Sequence, residues 1–350
     1  MLSPPVLRGG GTLSDMTDPA APRRGHLRTV EWNKVSHGLF RPRSDGDTGE
    51  RRVGSPAWRA DLGAWRLVLP PSAAFTHLTA CALYGWWLPP LPTDLPVFAC
   101  VGPDELRARR DGLIVSRYVS ERRPVMRAGL PVDRAVEVLA RASRDLRVLD
   151  MVVLIDSALR NGDCSLAELH TACRESREGV RTLRRALEMA DARSESPWES
   201  VLRVFHVLCE VPVEPQFEVY DGEGRFVARG DLRITGTRVL HEYDGAVHRD
   251  RRTHRQDLSR ERRLLTAQCQ RRGFTSIDLM GRAHMILREA DAALGGLHDP
   301  RRLMPWYAAL RESLFSRDGT AQLRKKWRLP VDGPAVARIL HELATRNRSS

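Results

Sequence analysis

The stretch from residue 194 to residue 280 constrains the fold more than any other part of the chain, because helix and strand signals alternate there at short intervals. It begins with SPWE at 196–199, a helix start with serine as the N-cap, proline in the first turn and glutamate at the N3 position. Three strand-like runs follow, separated by glycine-containing turns, at 216–220, 226–234 and 239–243. A helix over 250–271 and a strand over 274–279 complete the order α-β-β-β-α-β, which predicts one α/β domain.

Composition and turn signals divide the whole chain into five segments: a disordered lead at 1–24, a region of short strands and one helix at 25–120, a helical linker domain at 121–193, the α/β domain at 194–280, and a helical C-terminal extension at 281–350. Within the second segment we expect an antiparallel ribbon over 25–42, a helix over 73–87, and strands over 95–101 and 113–118.

Acidic side chains gather at the strands of the α/β domain. Asp231 lies on the second strand, and Glu242 and Asp244 end the third, two residues apart and therefore on one face. If the two strands are antiparallel, the three carboxylates converge, and such hard oxygen ligands suit Mg²⁺ or Mn²⁺. A metal ion there would polarise a phosphoryl oxygen and activate a bound water. Glu199 could add a fourth carboxylate, or it could serve only as a helix cap.

His248 follows Asp244 by four residues, after the turn-forming Gly245. A neutral imidazole beside a metal-bound water could act as a general base or assist the leaving group. The alternative is an ordinary solvated surface histidine.

The formal charge of +12 comes from 56 lysines and arginines against 44 acidic residues, and lysine occurs only at positions 34, 325 and 326. Amine chemistry, such as a Schiff base or a P-loop lysine, is therefore excluded between Lys34 and Lys325. Half of the charge excess lies in residues 245–272, which contain nine arginines and three acidic residues. We expect four of them to contact phosphates: Arg251, Arg255, Arg260 and Arg262. A solvated helix face, or arginine enrichment through codon usage, would give the same pattern.

The run GDLRI…VLHEYDGAVH, followed by an arginine-rich helix, resembles the PD-(D/E)xK nuclease superfamily, and within it the very-short-patch-repair (Vsr-like) endonucleases. The resemblance implies a restriction-endonuclease-like fold over 194–280. It also implies metal ligation by Asp231 and Glu242, with Glu199 as the helix glutamate and His248 as the histidine after the turn. Asp244 stands where the superfamily usually has lysine. Vsr-like members also lack that lysine and are thought to use histidine.

The N-terminal text HLRTV…VSHGLFRP, followed by AFTHLTACALYGWWLPP, is similar to the abortive-infection type IV antitoxin family. That family has a winged helix-turn-helix and then a helix with a histidine-alanine pattern, here His77 and Ala80. The resemblance implies DNA binding at the chain's own promoter. However, the helices that should precede the wing have no clear counterpart before Gly25, so the mainly helical N-terminal region would contain at most a degenerate winged helix.

The sequence thus predicts a cytoplasmic, Mg²⁺-dependent endonuclease that hydrolyses phosphodiester bonds of nucleic acid, with DNA as the expected partner. No apolar run is long enough for a membrane helix, and six cysteines without a CxxC pair favour reduced core thiols over a zinc site. The alternative is a non-catalytic DNA-binding regulator or antitoxin-like protein with a degenerate nuclease domain and a cognate toxin as partner. A structural protein whose arginines reflect genome composition is a third reading.

Overall fold

The computed structural model describes residues 21–25, 31–43, 52–118, 123–245 and 262–329. The protein is mixed α/β and divides into two compact units. The first comprises Met1–Phe75 with Leu95–Val132, and the second comprises Thr76–Asp94 with Asp133–Ser350. The helical region and the α/β region, which the sequence separates near residue 194, therefore belong to one unit.

The first unit contains a three-stranded antiparallel sheet of β1 (Arg23–Arg24), β2 (Trp32–Ser36) and β3 (Leu39–Pro42), with β3 in the middle. Helix α1 (Pro56–Trp65) begins after Ser55, whose hydroxyl accepts the backbone N–H of Trp58. The buried Arg41 guanidinium of β3 donates to the Asp61 carboxylate of α1 at 2.5 Å. The antiparallel ribbon predicted over 25–42 is confirmed, but β1 lies at Arg23–Arg24, within the segment 1–24 that was predicted to be disordered. The ion pair joins the ribbon to α1.

The second sheet of this unit has the order β6-β5-β4-β8-β7. Its strands are β4 (Ala74–Phe75), β5 (Val97–Val101), β6 (Leu113–Arg117), β7 (Val125–Arg127) and β8 (Leu130–Val132). Strand β5, with the sequence VFACV, is buried along its whole length, as its unbroken apolar run predicts. The predicted strands over 95–101 and 113–118 are confirmed as β5 and β6.

The helix predicted over 73–87 is wrong at both ends. Ala74 and Phe75 pair with β5 as strand β4, and helix α2 spans only His77–Tyr84. Gly85 then takes a left-handed conformation (φ 75°), which ends the helix at low cost because glycine has no side chain. An apolar run cannot by itself distinguish a short buried strand from the first turn of a helix.

The second unit continues with α3 (Ala135–Ala142), α4 (Val148–Arg160), α5 (Leu166–Ala172) and α6 (Val180–Leu187). The prediction of a helical segment over 121–193 is confirmed from Ala135 onward and is wrong before it, where β7 and β8 lie. Helix α4 is apolar on nearly all sides and lies in the core. Its buried Asp156 accepts a hydrogen bond at 2.5 Å from Arg203 of the next helix, α7 (Pro197–Leu208). This ion pair is one reason why the helices and the α/β region form a single unit.

After α7 come β9 (Val213–Tyr220), β10 (Phe226–Ile234), β11 (Val239–Tyr243), helical residues 262–266, and β12 (Gln270–Phe274). The sheet order is β12-β11-β10-β9. Strands β9, β10 and β11 form an antiparallel meander, and β12 pairs with β11 in parallel. The predicted α-β-β-β order is confirmed, and a fourth strand follows helical residues as predicted.

The position of that last strand is a correction. The predicted strand over 274–279 is wrong: residues 270–274 pair with β11, and Ser276–Gly281 form helix α8. Thr275 is the N-cap: its hydroxyl accepts the N–H of Asp278, and the Asp278 carboxylate accepts the N–H of Thr275. This capping box starts a helix where the apolar residues alone indicated a strand.

The last described helices are α9 (Ala283–Ala293), α10 (Met304–Glu312) and α11 (Arg317–Lys326), so the C-terminal extension is helical as far as it is described. Trp306 of α10 is buried against Phe205 of α7, with ring centroids 5.4 Å apart. Among the helices of the described ranges, none combines the length and the apolar character needed to cross a membrane. All six cysteines are buried free thiols.

Helix α7 contacts β11 through two fully buried histidines. His206 Nδ1 lies 2.7 Å from the Leu202 carbonyl oxygen, which can only accept, so Nδ1 carries the proton. His206 Nε2 is then the acceptor for His241 Nδ1, at 2.9 Å. Burial lowers the pKa of His206 to about 4 and that of His241 to about 2, so the pair is neutral near pH 7.

This neutral pair predicts acid sensitivity of the second unit. Because both pKa values lie below the ordinary value of 6.5, the unfolded chain takes up protons first, and stability is lost as the pH falls below that value. Between pH 7 and pH 5 the loss should be about 2 kcal/mol per histidine. Urea unfolding at both pH values measures it. A double variant, His206→Gln with His241→Gln, should lose clearly less than the wild type on acidification; an equal loss in both proteins would contradict the neutral pair.

Candidate active site

The candidate site lies where strands β10 and β11 stop pairing. The last regular pair in this direction is Leu232 with His241. Beyond it, the carboxylate of Asp231 accepts the backbone N–H of Tyr243 at 2.9 Å. Tyr243 is flanked by Glu242 and Asp244, so the structure brings the three sequence-predicted acids to one end of the sheet. We call Asp231, Glu242 and Asp244 the carboxylate corner.

Arg271 of β12 joins two members of the carboxylate corner. Its Nε donates to Glu242 Oε2 at 2.5 Å, and one of its terminal nitrogens donates to Asp244 Oδ1. The Glu242 side chain is only 4% exposed, whereas those of Arg271 and Asp244 are 28% and 34% exposed. The ion pair therefore runs from the buried end of the corner to its solvent-exposed edge.

Gly273 makes this arrangement possible. It pairs with Glu242 in the parallel register of β11 and β12. A Cβ atom at this position would lie 1.8 Å from Asp244 Oδ2, so the Asp244 carboxylate occupies the space that a side chain would need. The absence of a side chain at Gly273 lets Asp244 reach across β12 toward Arg271.

Glu199 is tied to the start of α7. Its carboxylate accepts the backbone N–H of Glu195 at 2.8 Å and the side-chain amide of Gln216 at 2.9 Å. Its own N–H donates to the Ser196 hydroxyl, as the N3 position of a capped helix does. Burial raises the pKa of Glu199 above its ordinary value. Glu199 therefore has the helix-capping role that was one of the two roles expected for it.

Gln216, which donates to Glu199, is also a neighbour of Asp231 in the sheet. It lies on β9 between the pairs Phe217–Gly230 and Pro215–Leu232, and hence beside Asp231. Its backbone is left-handed, with φ 54°, which is uncommon for a residue with a side chain and costs roughly 1–3 kcal/mol. Such strain tends to occur at functional sites.

Arg271 and Gln216 are site residues that are not among those predicted from the sequence. Arg271 was assigned to the end of a helix, although period-two alternation in QRRGF would have placed Arg271 and Gly273 on one face of a strand. Arg272 is directed to a different partner, and its Nε lies 3.3 Å from the Glu289 carboxylate of α9. No local sequence signal indicates the left-handed backbone of Gln216.

Several predicted site residues lie outside the described residues: His248, Arg251, Arg255 and Arg260. Arg262 is described, and it is exposed at the start of the helical residues 262–266.

The donor chemistry of the corner fits a hard divalent cation. Asp231 and Glu242 offer carboxylate oxygens, the ligand type that Mg²⁺ and Mn²⁺ prefer. Two of the carboxylates already bind a cationic group, the guanidinium of Arg271. Within the described ranges, the side chains do not form a group of three or more His, Cys, Asp or Glu residues that could hold a metal ion. The corner as described thus offers carboxylate ligands in competition with an arginine.

Comparison with known proteins gives two similar sequences, both uncharacterized proteins of Mycobacterium tuberculosis, one from strain CDC 1551 / Oshkosh and one from strain ATCC 25618 / H37Rv. Each is 31% identical over 173 residues, which is 47% of this chain and 60% of the relative. The match thus covers less than two thirds of the relatives' length. No family model matches the chain, and no solved structure matches it.

The close approach at Gly273 gives a stability prediction. Gly273→Ala should lower the free energy of unfolding by about 1–3 kcal/mol, because the new methyl group overlaps the Asp244 carboxylate. The control is Gly281→Ala, at a helical position with open space, which should be neutral or slightly stabilising. Urea unfolding gives both values.

A double-mutant cycle isolates the cause. Asp244→Ala removes the atoms that the methyl group meets, so the cost of Gly273→Ala should be smaller in that background. Equal costs in both backgrounds would show that Asp244 does not lie across Gly273.

Proposed function

We propose that the α/β region of the second unit is a divalent-metal-dependent nuclease domain that hydrolyses phosphodiester bonds of nucleic acid, with DNA as substrate. The observation that carries the proposal is that Asp231, Glu242 and Asp244 lie at one end of the sheet. The Asp231 carboxylate accepts the backbone N–H of Tyr243, which stands between the other two acids, and Arg271 binds both of those. The strand order supports it: an antiparallel meander with a fourth strand parallel to the third is compatible with the restriction-endonuclease-like fold implied by the resemblance to Vsr-like nucleases. We place this activity in the cytoplasm.

Within this proposal, Asp231 and Glu242 would hold Mg²⁺ or Mn²⁺, and Asp244 and Glu199 would support them. The bound ion would polarise a phosphoryl oxygen and lower the pKa of a coordinated water. Tyr243 fixes the Asp231 carboxylate through its backbone N–H, and Gln216 fixes the Glu199 carboxylate through its amide. His248 would take or deliver the proton.

The positive charge of the domain has a separate role in the proposal. Nucleic-acid binding is dominated by neutralisation of phosphates, which arginine achieves through paired N–H donors. In this proposal Arg251, Arg255, Arg260 and Arg262 would contact the phosphate backbone.

One observation favours a second candidate function. Because Arg271 already neutralises Glu242 and Asp244, the corner could be a degenerate site in which a guanidinium replaces the metal ion. The protein would then be a DNA-binding regulator or an antitoxin-like protein with a cognate toxin as partner. Its DNA binding should be salt-dependent and unaffected by a chelator.

A plasmid cleavage assay distinguishes the two functions. Wild-type protein with Mg²⁺ should nick or linearise supercoiled DNA, and EDTA should stop the reaction. Asp231→Asn and Glu242→Gln should each lower the rate by about 100-fold or more, because each removes a carboxylate that would hold the metal ion. Asp221→Asn, which changes a turn aspartate that is 20% exposed and paired with Arg225, is the matched control and should retain activity. Equal inactivity of wild type and Asp231→Asn on both DNA and RNA would refute the nuclease function.

A further inference from the structure

We infer that Arg271 is a phosphate-contacting residue of the proposed site, and that Glu242 and Asp244 hold its guanidinium until a divalent cation occupies the carboxylates. The inference rests on the proposed function, because it requires a nucleic acid and a divalent cation at the carboxylate corner. It adds a coupling between the two ligands: binding of the cation releases the arginine that binds the substrate.

The position of Arg271 fits such an exchange. Its guanidinium donates a hydrogen bond from Nε to the buried Glu242 and another from a terminal nitrogen to the more exposed Asp244. Its side chain is 28% exposed, so part of it lies at the surface that a phosphodiester would approach. A guanidinium presents its N–H groups in one plane, and phosphate oxygens match this geometry as well as carboxylates do.

The charges of the corner explain why an exchange is needed. Three carboxylates at one end of a sheet repel a phosphate, and Arg271 is neutralised as long as it binds two of them. A divalent cation bound to the same carboxylates repels the guanidinium and also satisfies the carboxylate charge. Arg271 is then free to bind a phosphate, and the phosphate in turn favours retention of the cation.

Because lysine is scarce in this chain, a side-chain cation near the carboxylate corner has to be an arginine or a histidine. Lysine is missing from the sequence between positions 34 and 325, and Asp244 occupies the position two residues after Glu242. Arg271 of the neighbouring strand brings a positive charge into contact with Glu242.

Arg272 provides a matched control. It is the next residue on the same strand, and its guanidinium pairs with Glu289 of α9 rather than with the corner. Replacing Arg272 removes one positive charge from the same strand. An effect that comes only from the loss of charge should therefore be equal in the Arg271 and Arg272 variants.

The test measures binding of a short double-stranded oligonucleotide by full-length protein, using fluorescence anisotropy in Ca²⁺ and in EDTA. Ca²⁺ supplies a hard cation for oxygen ligands. In Ca²⁺, Arg271→Gln should bind about 10-fold more weakly than wild type, and the slope of log K against log salt should fall by about 0.9, the value for one phosphate. In EDTA the two proteins should bind almost equally, because Arg271 is then held by the carboxylates. Arg272→Gln should show no such dependence on Ca²⁺.

Calorimetry gives a second readout that requires neither activity nor nucleic acid. Ca²⁺ should bind Arg271→Gln at least about 10-fold more tightly than wild type, because the competing guanidinium is gone. Arg271→Lys keeps a positive charge beside Glu242 and serves if Arg271→Gln is poorly folded. It should bind the oligonucleotide in Ca²⁺ with intermediate affinity, since a lysine cannot form the paired contact.

Four results would overturn the inference: no oligonucleotide binding by wild type, equal behaviour of Arg271→Gln and Arg272→Gln, a loss of equal size in Ca²⁺ and EDTA, or an unchanged Ca²⁺ affinity. The outcome is separable from that of the nuclease proposal. Ca²⁺-dependent binding through Arg271 without cleavage in Mg²⁺ would leave this inference intact and remove the catalytic function. Cleavage of DNA by the wild type, together with equal binding by Arg271→Gln and Arg272→Gln, would support the nuclease function and overturn this inference.

Discussion

The register of β11 between its two neighbours is the constraint on which the candidate site depends. Successive residues of this strand serve different partners: His241 contacts His206 of α7, and Glu242 contacts Arg271 of β12. A slip by one residue would exchange these positions, leaving a carboxylate against α7 and a histidine beside Arg271. The packing of Leu240 and His241, both fully buried, therefore fixes the place of the carboxylates without contributing to their chemistry.

The ion pair between Arg271 and Glu242 is difficult to explain by stability alone. Taking a carboxylate out of water costs several kcal/mol, and ion pairs in such places are often no more stabilising than apolar residues of similar size. The same corner contains a left-handed glutamine, and Asp244 depends on a neighbour without a side chain. Features that lower stability, when they occur together in one part of a regular sheet, are typical of functional sites. The proposed exchange of Arg271 between carboxylates and phosphate explains why these destabilising features occur together.

Much of the fold could be predicted because its signals are local. The serine-proline start of α7 and the turns of the meander depend on residues a few positions apart, and the structure has them as predicted. The common position of Asp231, Glu242 and Asp244 at one end of the sheet could also be predicted, from strand alternation and one antiparallel pair, but the described side chains do not form a group of three metal ligands there. The bounds of β12 could not be predicted from apolar alternation, because its sequence is rich in arginine. The apolar residues after it belong to a helix that begins at the capping box of Thr275 and Asp278. Arg271 and Gln216 could not be found locally, since their importance depends on which strand lies beside which.

The most direct test of the account is the binding of Mn²⁺ to purified full-length protein, followed by electron paramagnetic resonance. The account predicts a saturable site that Asp231→Asn weakens by about 10-fold or more and that Asp221→Asn leaves unchanged, since loss of a carboxylate ligand removes both charge and geometry. Absence of a saturable site in wild type, or equal affinity in wild type and Asp231→Asn, would contradict the claim that the carboxylate corner binds a divalent cation.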